Sequence, residues 1–178
     1  MDTQLQQAIN ALKVGPLEVV WNPGASQVEL FVKDGVDLSI SRGMEEVELD
    51  IIGVQGVVSQ GDGIAFDLAF PEISASVVRV MFLNAREGTD VGKTYTGIGN
   101  EAGYNAYDDA QEIRIRPWRS RTDRTLQIRL WKVAPAGDIS LAMRKTDPHT
   151  WTCSFRAFPD PSRPDGDLLG RVYAGVRA

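Results

Sequence analysis

Only one cysteine, Cys153, and one histidine, His149, occur among the 178 residues. A disulfide within the chain is therefore excluded, and a zinc site or a histidine-centred triad would depend on His149 alone. His149, Trp151 and Cys153 lie on one expected strand, so a Cys–His nucleophile pair is geometrically possible. No activating group is evident, and the favoured interpretation is a turn histidine and a core thiol.

The sequence also lacks long hydrophobic runs and a surplus of positive charge. No apolar run approaches the ~20 residues that span a bilayer, and Met1–Asn10 has no basic segment leading into an apolar one. These absences predict a soluble protein of a reducing cytoplasm, without a membrane span. With 19 Lys and Arg against 24 Asp and Glu, the net charge is −5, which argues against a protein that holds duplex DNA through its phosphates.

Several short motifs resemble ligand sites, but each misses a requirement. Gly88–Thr94 ends like a phosphate-binding loop, yet three residues instead of four separate its glycines. Gly97–Gly103 misses the dinucleotide fingerprint by one residue, and the aspartates at 108–109 and 160–167 fit no calcium loop. Tryptophans near arginines suit either stacking on single-stranded nucleic acid or packing of arginine stems on indoles at the core edge. We therefore expect no enzyme, no metal and no cofactor.

Charge is unevenly distributed along the chain. Residues 1–60 hold nine acidic and three basic side chains, whereas residues 111–133 hold seven basic and two acidic ones. Two solvated faces are one interpretation. The other is that opposite patches on two copies meet head to tail, so that some basic residues pair with acids of a neighbouring copy. The candidates for this inter-subunit role are Arg114, Arg116, Arg119 and Arg121.

Alternation of apolar and polar residues is the main structural signal, and it is strongest in Ser26–Ile52. Successive side chains of a strand point to opposite faces, so this period of two predicts half-buried antiparallel strands. Two runs, Val28–Val32 and Val36–Ile40, flank a Lys33-Asp34-Gly35 turn and predict a hairpin. The candidate contact residues of this hairpin are Lys33, Asp34, Gly35 and Arg42. A third run alternates between an apolar face (Val47, Leu49, Ile51) and an acidic face (Glu46, Glu48, Asp50).

Similar alternation continues through most of the chain. It predicts strands at Leu17–Trp21, at Ile64–Phe70 and in several runs from Glu112 onward, with turns at 134–138 and 145–148. Gly53–Asp62 is expected to be a loop because glycines punctuate it. Pro71 and Glu72 suit the first turn of a helix that follows them.

These elements predict one mainly β domain over residues 1–178. Its expected architecture is an antiparallel β-sandwich or barrel of about eight to ten strands with a flanking α-helix and a long hairpin. Residues 1–14 are interpreted as an N-terminal arm. Asn84–Gln111 has no sustained periodicity and exceeds the usual length of a connection, so it is interpreted as a long loop insertion.

This order of elements resembles the tail tube proteins of long-tailed bacteriophages, which belong to the tail-tube and type VI secretion tube superfamily. The resemblance rests on Leu17–Trp21 leading into Val28–Ile51, on the expected helix in Pro71–Ala85, and on the closing run TLQIRLWKVAPAGDISLAMRKTDPHTWTCSFRAFPD. It implies a structural virion protein, the major tail protein. In that family, subunits form hexameric rings with a continuous inner β-barrel, and the rings stack into the tube through which DNA is ejected.

The resemblance also implies partners and a location. The partners are further copies of the chain and other tail proteins, such as the tape measure, terminator and distal tail proteins. Double-stranded DNA passes through the tube without specific binding. The protein assembles in the host bacterial cytoplasm and resides in the virion tail. In such a tube the acidic face of Glu46, Glu48 and Asp50 suits the lumen wall, because it repels phosphates.

Three other interpretations stay open at this point. One is a tube subunit of a contractile tail or type VI secretion system, which needs a sheath. Another is a tail component that forms a single ring, such as a terminator or distal protein. The third is a monomeric β-sandwich that binds carbohydrate or nucleic acid through the tryptophans and through Tyr95, Tyr104 and Tyr107. The size of the purified protein distinguishes the third from the others.

Overall fold

The computed structural model describes residues 17–22, 24, 26–32, 35–49, 53–71, 74–83, 85–99, 102–118, 126–143 and 149–173. For the strand residues 44–49 and 53–60 it describes the backbone only. The predicted N-terminal arm (1–14) and the predicted turn at 145–148 lie outside the described residues.

The described residues form ten strands and one helix. The strands are β1 (Leu17–Trp21), β2 (Val28–Leu30), β3 (Leu38–Leu49), β4 (Gly53–Phe70), β5 (Glu87–Asp90), β6 (Lys93–Thr96), β7 (Gln111–Pro117), β8 (Ile128–Ala142), β9 (Thr150–Phe158) and β10 (Gly170–Val172), and the helix is α1 (Ala75–Met81). The larger sheet has the order β2-β1-β7-β8-β9-β4-β3, with β10 paired to β8, and β5 and β6 form a separate pair. The predicted mainly antiparallel β architecture with a flanking helix is confirmed, and the sheets are open.

Alternation along the strands determines which face of the larger sheet becomes the core. In β1, Val19 and Trp21 point inward, and in β7 Ile113 and Ile115 do so, because every second residue is apolar. The paired positions Phe66 and Phe155 stack with ring centroids 5.6 Å apart. Burial of such side chains contributes about 25 cal/mol per Å² of apolar area removed from water. The core therefore lies under one face of strands from every part of the chain.

Helix α1 covers this core where the sequence predicted a helix after Pro71. The Ser74 hydroxyl accepts a hydrogen bond from the Val77 amide at 3.2 Å, which caps the first turn. The helix buries Val77, Val78, Val80 and Met81. Its β-branched residues have a modest helix propensity, so packing against the sheet stabilises it more than intrinsic preference does.

The prediction that the two strands flanking Lys33-Asp34-Gly35 pair with each other as a hairpin is wrong. β2 pairs with β1, with Val19 opposite Leu30, and β3 pairs with β4, with Leu38 opposite Phe66. Gly35 has a φ of 88°, which a glycine adopts without steric cost. The chain therefore leaves β2 at one edge of the sheet and begins β3 at the other edge. The period of two predicts that a segment is a strand, but it does not select the partner strand.

Two further segments were predicted as connections but are strand residues. Gly53–Asp62 lies within β4 and pairs with β3, and the register shifts near Gly43 and Val47. Residues 134–138 lie within β8, where the register against β9 shifts between Pro135 and Ile139. In both places glycine or proline marks a bulge instead of a turn, because a bulge also needs residues that tolerate an interrupted ladder.

The predicted long insertion, Asn84–Gln111, contains the β5–β6 hairpin and a series of turns before β7. The near-match to a phosphate loop at Gly88–Thr94 is this hairpin, so no strand-to-helix transition exists there to cradle phosphates. An ion pair between Arg79 and Glu87 links the hairpin to α1. The hairpin is thus a separate projection attached to the helix.

We predict that Phe155→Ala lowers the free energy of unfolding by about 3–5 kcal/mol, because it removes a fully buried ring and leaves a cavity. Phe155 contacts both Phe66 and Trp21, the latter with ring centroids 5.7 Å apart. The measurement is denaturant unfolding followed by circular dichroism. Ile98→Ala is the control, since this side chain is 72% exposed and should change stability by less than about 0.5 kcal/mol. Equal effects of the two substitutions would contradict this core assignment.

Candidate assembly interface

The paired strands β3 and β4 extend beyond the rest of the sheet. β4 pairs with β9 only from Ile64 to Phe70, whereas its preceding residues pair with β3. Ser41–Leu49 and Gly53–Gly63 therefore form a two-stranded projection, which we call the arm. At about 3.3 Å per residue the arm is roughly 30 Å long. An isolated two-stranded ribbon is marginally stable in water, and its strand edges are suited to pairing with another chain.

In β3, β4, β9 and the end of β8, the face opposite the core has mainly short polar side chains, together with the long side chain of Arg156. In β4, Asp67 points outward between the buried Phe66 and Leu68, and in β9 Ser154 and Arg156 flank the buried Phe155. The Ser154 hydroxyl donates a hydrogen bond to the Asp67 carboxylate at 2.5 Å. We call this surface the outer face. It comprises Ser39, Ser41, Ala65, Asp67, Ser140, Thr152, Ser154 and Arg156, all exposed or half-buried.

Ion pairs among β1, β7 and β8 involve three of the seven basic residues in 111–133. Arg116 of β7 lies opposite Glu18 of β1 and forms an ion pair with it, and the Glu18 side chain is only 3% exposed. The Glu112 carboxylate accepts two hydrogen bonds from the Arg129 guanidinium, at 2.6 and 2.7 Å. These hydrogen bonds raise the pKa of Arg129, so the guanidinium stays charged. Part of the basic charge that looks excessive in the sequence is thus balanced within the chain, at Arg114, Arg116 and Arg129.

The four arginines predicted to contact a neighbouring copy fall into two groups, a pair that has partners within the chain and a pair outside the described residues. Arg116 pairs with Glu18, and Arg114 lies 3.5 Å from Glu112 of its own chain. Arg119 and Arg121 lie outside the described residues, so their inter-subunit role stays a prediction. Sequence reasoning could not find the acidic partners, because Glu18 and Arg116 are separated by 98 positions.

Of the other predicted contact and lumen residues, Arg42, Glu46 and Glu48 lie in the arm. Arg42 is exposed and stands opposite Asp62, and Gly35 precedes β3. Glu46 and Glu48 are residues of β3, opposite Val57 and Val54 in the register. Lys33, Asp34 and Asp50 lie outside the described residues. The predicted lumen role of Glu46, Glu48 and Asp50 therefore stays a prediction.

Trp131, one of the tryptophans considered for nucleic-acid stacking, is engaged within the chain, whereas Trp118 is 45% exposed. Trp131 is buried, and its indole donates a hydrogen bond to the Asp167 carbonyl at 2.8 Å. The guanidinium carbons of Arg163 and Arg129 lie 4.0 and 4.7 Å from its ring centroid. This arrangement attaches the C-terminal segment to β8 and leaves no ring face for a base. For Trp131 the structure therefore shows the second interpretation made from the sequence, which is the packing of arginines on an indole at the edge of the core.

The chemistry available around Cys153 is that of an inert thiol. Cys153 is fully buried, and its desolvation, followed by the charge of Asp67, raises its pKa to about 12. A nucleophilic cysteine needs the opposite shift. His149 is exposed at the start of β9. Among the described residues no group of three His, Cys, Asp or Glu side chains is arranged to hold a metal ion, and no helix is long and apolar enough to cross a membrane.

One solved structure with a TM-score above 0.5 shares this architecture. No protein-family model and no curated protein matches the chain. A chain of the sheath–tube complex of an extracellular contractile injection system, PVC, in its extended state matches with a TM-score of 0.51. That match has 11% identity and covers 89% of this chain and 95% of the other. The chain shares the fold of this sheath–tube component.

Two weaker matches are of the same kind. The sheath/tube terminator of the PVC system in its extended state matches with a TM-score of 0.49 at 12% identity, over 82% of this chain and 91% of the other. A chain from the virion of a native gene transfer agent particle matches with a TM-score of 0.42 at 9% identity, over 78% and 88%. At such identities the likeness concerns the fold alone.

We predict that Glu18→Gln destabilises the protein by about 3 kcal/mol, because it removes one charge of a buried ion pair and leaves the Arg116 charge under-compensated. The measurement is a double-mutant cycle with Arg116→Met in denaturant unfolding, in which the double variant should recover part of the loss. Glu87→Gln is the matched control. Its partner Arg79 is 59% exposed, so the loss should stay under about 1 kcal/mol. Additive effects of Glu18→Gln and Arg116→Met would contradict the coupling.

Proposed function

We propose that this protein is a structural subunit of a phage-type tail tube. Its copies self-assemble into rings, which are hexamers in the tail tube family, and the rings stack into a conduit for DNA. The arm carries this proposal, since it extends past the strand that supports the rest of β4. A ribbon with two strand edges is stabilised when a neighbouring copy pairs with it or packs on it. No catalytic role is proposed, because the one thiol is inert and the charged residues of β1, β7 and β8 form structural ion pairs.

The open sheet supports ring formation by a head-to-tail contact. Its two edge strands, β2 and β3, differ, so the edge of one copy meets a different edge of the next copy. A contact of this heterologous kind closes into a ring when the rotation between copies permits. Joined in this way, the sheets of successive subunits form a continuous barrel without unpaired edges. Arg119 and Arg121 are proposed to pair with acids of the neighbouring copy.

The outer face, which is the face of the sheet opposite the core, and the arm are proposed to form the wall of the lumen. Short hydroxyl and alanine side chains, such as Ser39, Ala65 and Thr152, offer few groups that hold a phosphate. Glu46, Glu48 and Asp50 add negative charge that repels DNA, and counterions in the channel screen their mutual repulsion. DNA then passes without lasting contact. Tape measure, terminator and distal tail proteins are the proposed partners, and the virion tail is the proposed location.

The alternative of a monomeric carbohydrate-binding sandwich is disfavoured by the state of its aromatic residues. The Tyr107 ring is covered by the Lys132 ammonium at 4.0 Å from the centroid and meets the Phe158 ring edge-on. Desolvation by burial, and then the neighbouring Asp109 carboxylate, raise the pKa of Tyr104 to about 12, as expected for a phenol held inside its loop. Two closely related alternatives stay open, a tube subunit of a contractile system and a single-ring tail component. Electron microscopy identifies the second, because it forms single rings instead of tubes, and binding of a sheath protein to the tubes identifies the first.

We predict that shortening the arm abolishes assembly and leaves a folded monomer. The variant replaces residues 46–57 by Asn-Gly, so that Glu45 and Val58, which are register partners, flank a two-residue turn. Light scattering reports the mass, negative-stain images report rings or tubes, and thermal unfolding reports the fold. Replacing residues 51–52 by Asn-Gly is the control, because it keeps the arm length. If the shortened variant formed rings as abundantly as the wild type does, the role of the arm in assembly would be refuted.

We predict that the triple substitution Glu46→Lys, Glu48→Lys and Asp50→Lys leaves assembly intact but creates affinity for duplex DNA. Three new cations per subunit would contact phosphates, so binding should fall steeply as salt rises. Fluorescence anisotropy of labelled duplex with assembled particles measures this. The matched control, Glu46→Gln, Glu48→Gln and Asp50→Asn, removes the acids without adding cations and should bind far less. A lysine variant that binds no more DNA than this control would place the three positions outside the lumen.

A further inference from the structure

The tip of the β5–β6 hairpin has an unusual residue at its turn. Asp90 and Lys93 are register partners, and Val91 and Gly92 connect them with φ angles of 47° and 75°. Two positive φ angles define the hairpin turn that favours Asn-Gly, because these residues tolerate the left-handed region. A β-branched residue there is sterically disfavoured. We call residues 90–93 the tip.

Val91 gains no burial within its own chain that offsets this strain. It is 94% exposed, the largest exposure among the exposed large hydrophobic residues of the described chain. An outlier of this kind is a reason to look for a function, because the strain persists only when another requirement selects the residue. For an isolated subunit, asparagine at this position would be better in both backbone preference and solubility.

A groove beside α1 is lined by polar side chains and by a smaller number of apolar ones. It consists of two adjoining cavities of about 350 and 260 Å³ between α1 and strands β1 and β2, and Val28 and Ser76 line both of them. Val77 and Val80 of α1 line the groove on one side. Phe31, which is 68% exposed, stands at one end. The groove is large enough to accept a valine side chain and the turn that holds it.

We infer that the tip of one copy inserts Val91 into this groove of a second copy, and that this contact joins stacked rings. The inference rests on the proposed function and names the surface that makes ring-to-ring contact. The tip and the groove are different surfaces of the same chain, so the contact is heterologous and leaves a free tip and a free groove at each end. Such a contact propagates and produces an open stack.

Charge and contact area favour a second copy in a ring as the occupant. Asp90 and Lys93 flank the turn. The groove is lined by Arg79 as well as by Glu29 and Asp109, so each side offers an acidic and a basic group that the other can pair with. One hairpin tip buries far less than the ~1,000 Å² expected of a stable interface, so two free monomers would not associate through it. Repetition around a ring makes the contacts simultaneous, and the combined avidity then exceeds each single affinity.

The first test is Val91→Asn in the full-length protein. The expected result is a higher melting temperature of the subunit, because Asn-Gly suits the turn, together with unchanged rings and tubes at least about tenfold shorter in negative-stain images. Phe31→Ser should shorten the tubes as well. Ile98→Asn is the matched control, since Ile98 is a neighbouring exposed hydrophobic residue outside the tip, and its tubes should keep the wild-type length.

The second test is cross-linking between copies. Val91→Cys combined with Phe31→Cys should give a ladder of disulfide-linked multimers when stacked tubes are oxidised, and none when isolated rings are oxidised. Ile98→Cys combined with Phe31→Cys should give no ladder.

If the Val91→Asn variant formed tubes of wild-type length and no ladder appeared, the inference would be overturned. Tubes of the wild-type protein would in that case still support the proposed function. A ladder from isolated rings would also overturn it, because the contact would then lie within a ring. If the wild-type protein formed neither rings nor tubes, the proposed function would fail and this inference with it.

Discussion

Main-chain hydrogen bonding along β4 is the constraint on which the rest of the structure depends. Ile64–Phe66 are paired with β3 on one side and with β9 on the other, and these residues join the arm to the core. In the arm, the same strand is paired with β3. One strand of 18 residues is therefore both a central element of a stable sheet and half of a projecting ribbon. Stability and the capacity to associate are thus properties of different segments of a single element.

The sequence predicted elements better than it predicted their arrangement. Val19, Ile113 and Phe155 were identifiable as inward residues because a pleated strand exposes every second side chain to the core. The same period could not show that Leu30 faces Val19 instead of a residue of β3. Pairing depends on contacts between distant segments, and a local pattern contains no information on them. Glycine in β4 was misinterpreted for a related reason, since glycine permits both turns and bulges.

The candidate interface was predictable to a smaller extent than the fold. The excess of basic residues in 111–133 was visible, but their partners were not, because Glu18 and Glu112 reach Arg116 and Arg129 only through the register of three strands. Val91 gave no signal at all in the sequence, where it is one residue of a glycine-containing loop. Its significance depends on a dihedral angle and an exposed fraction, which only a folded structure supplies.

Burial of Cys153 has a consequence for the durability of the protein. Oxidants and disulfide-exchanging thiols attack the thiolate, and a fully buried sulfur with a pKa of about 12 offers neither thiolate nor access. This sulfur therefore stays a thiol both in a reducing compartment and in an oxidising medium, whereas the thioether of Met143, which is 70% exposed, is open to oxidants. Oxidative change is thus directed to the surface of the protein, and the packing around Cys153 is insensitive to the redox state of the surroundings.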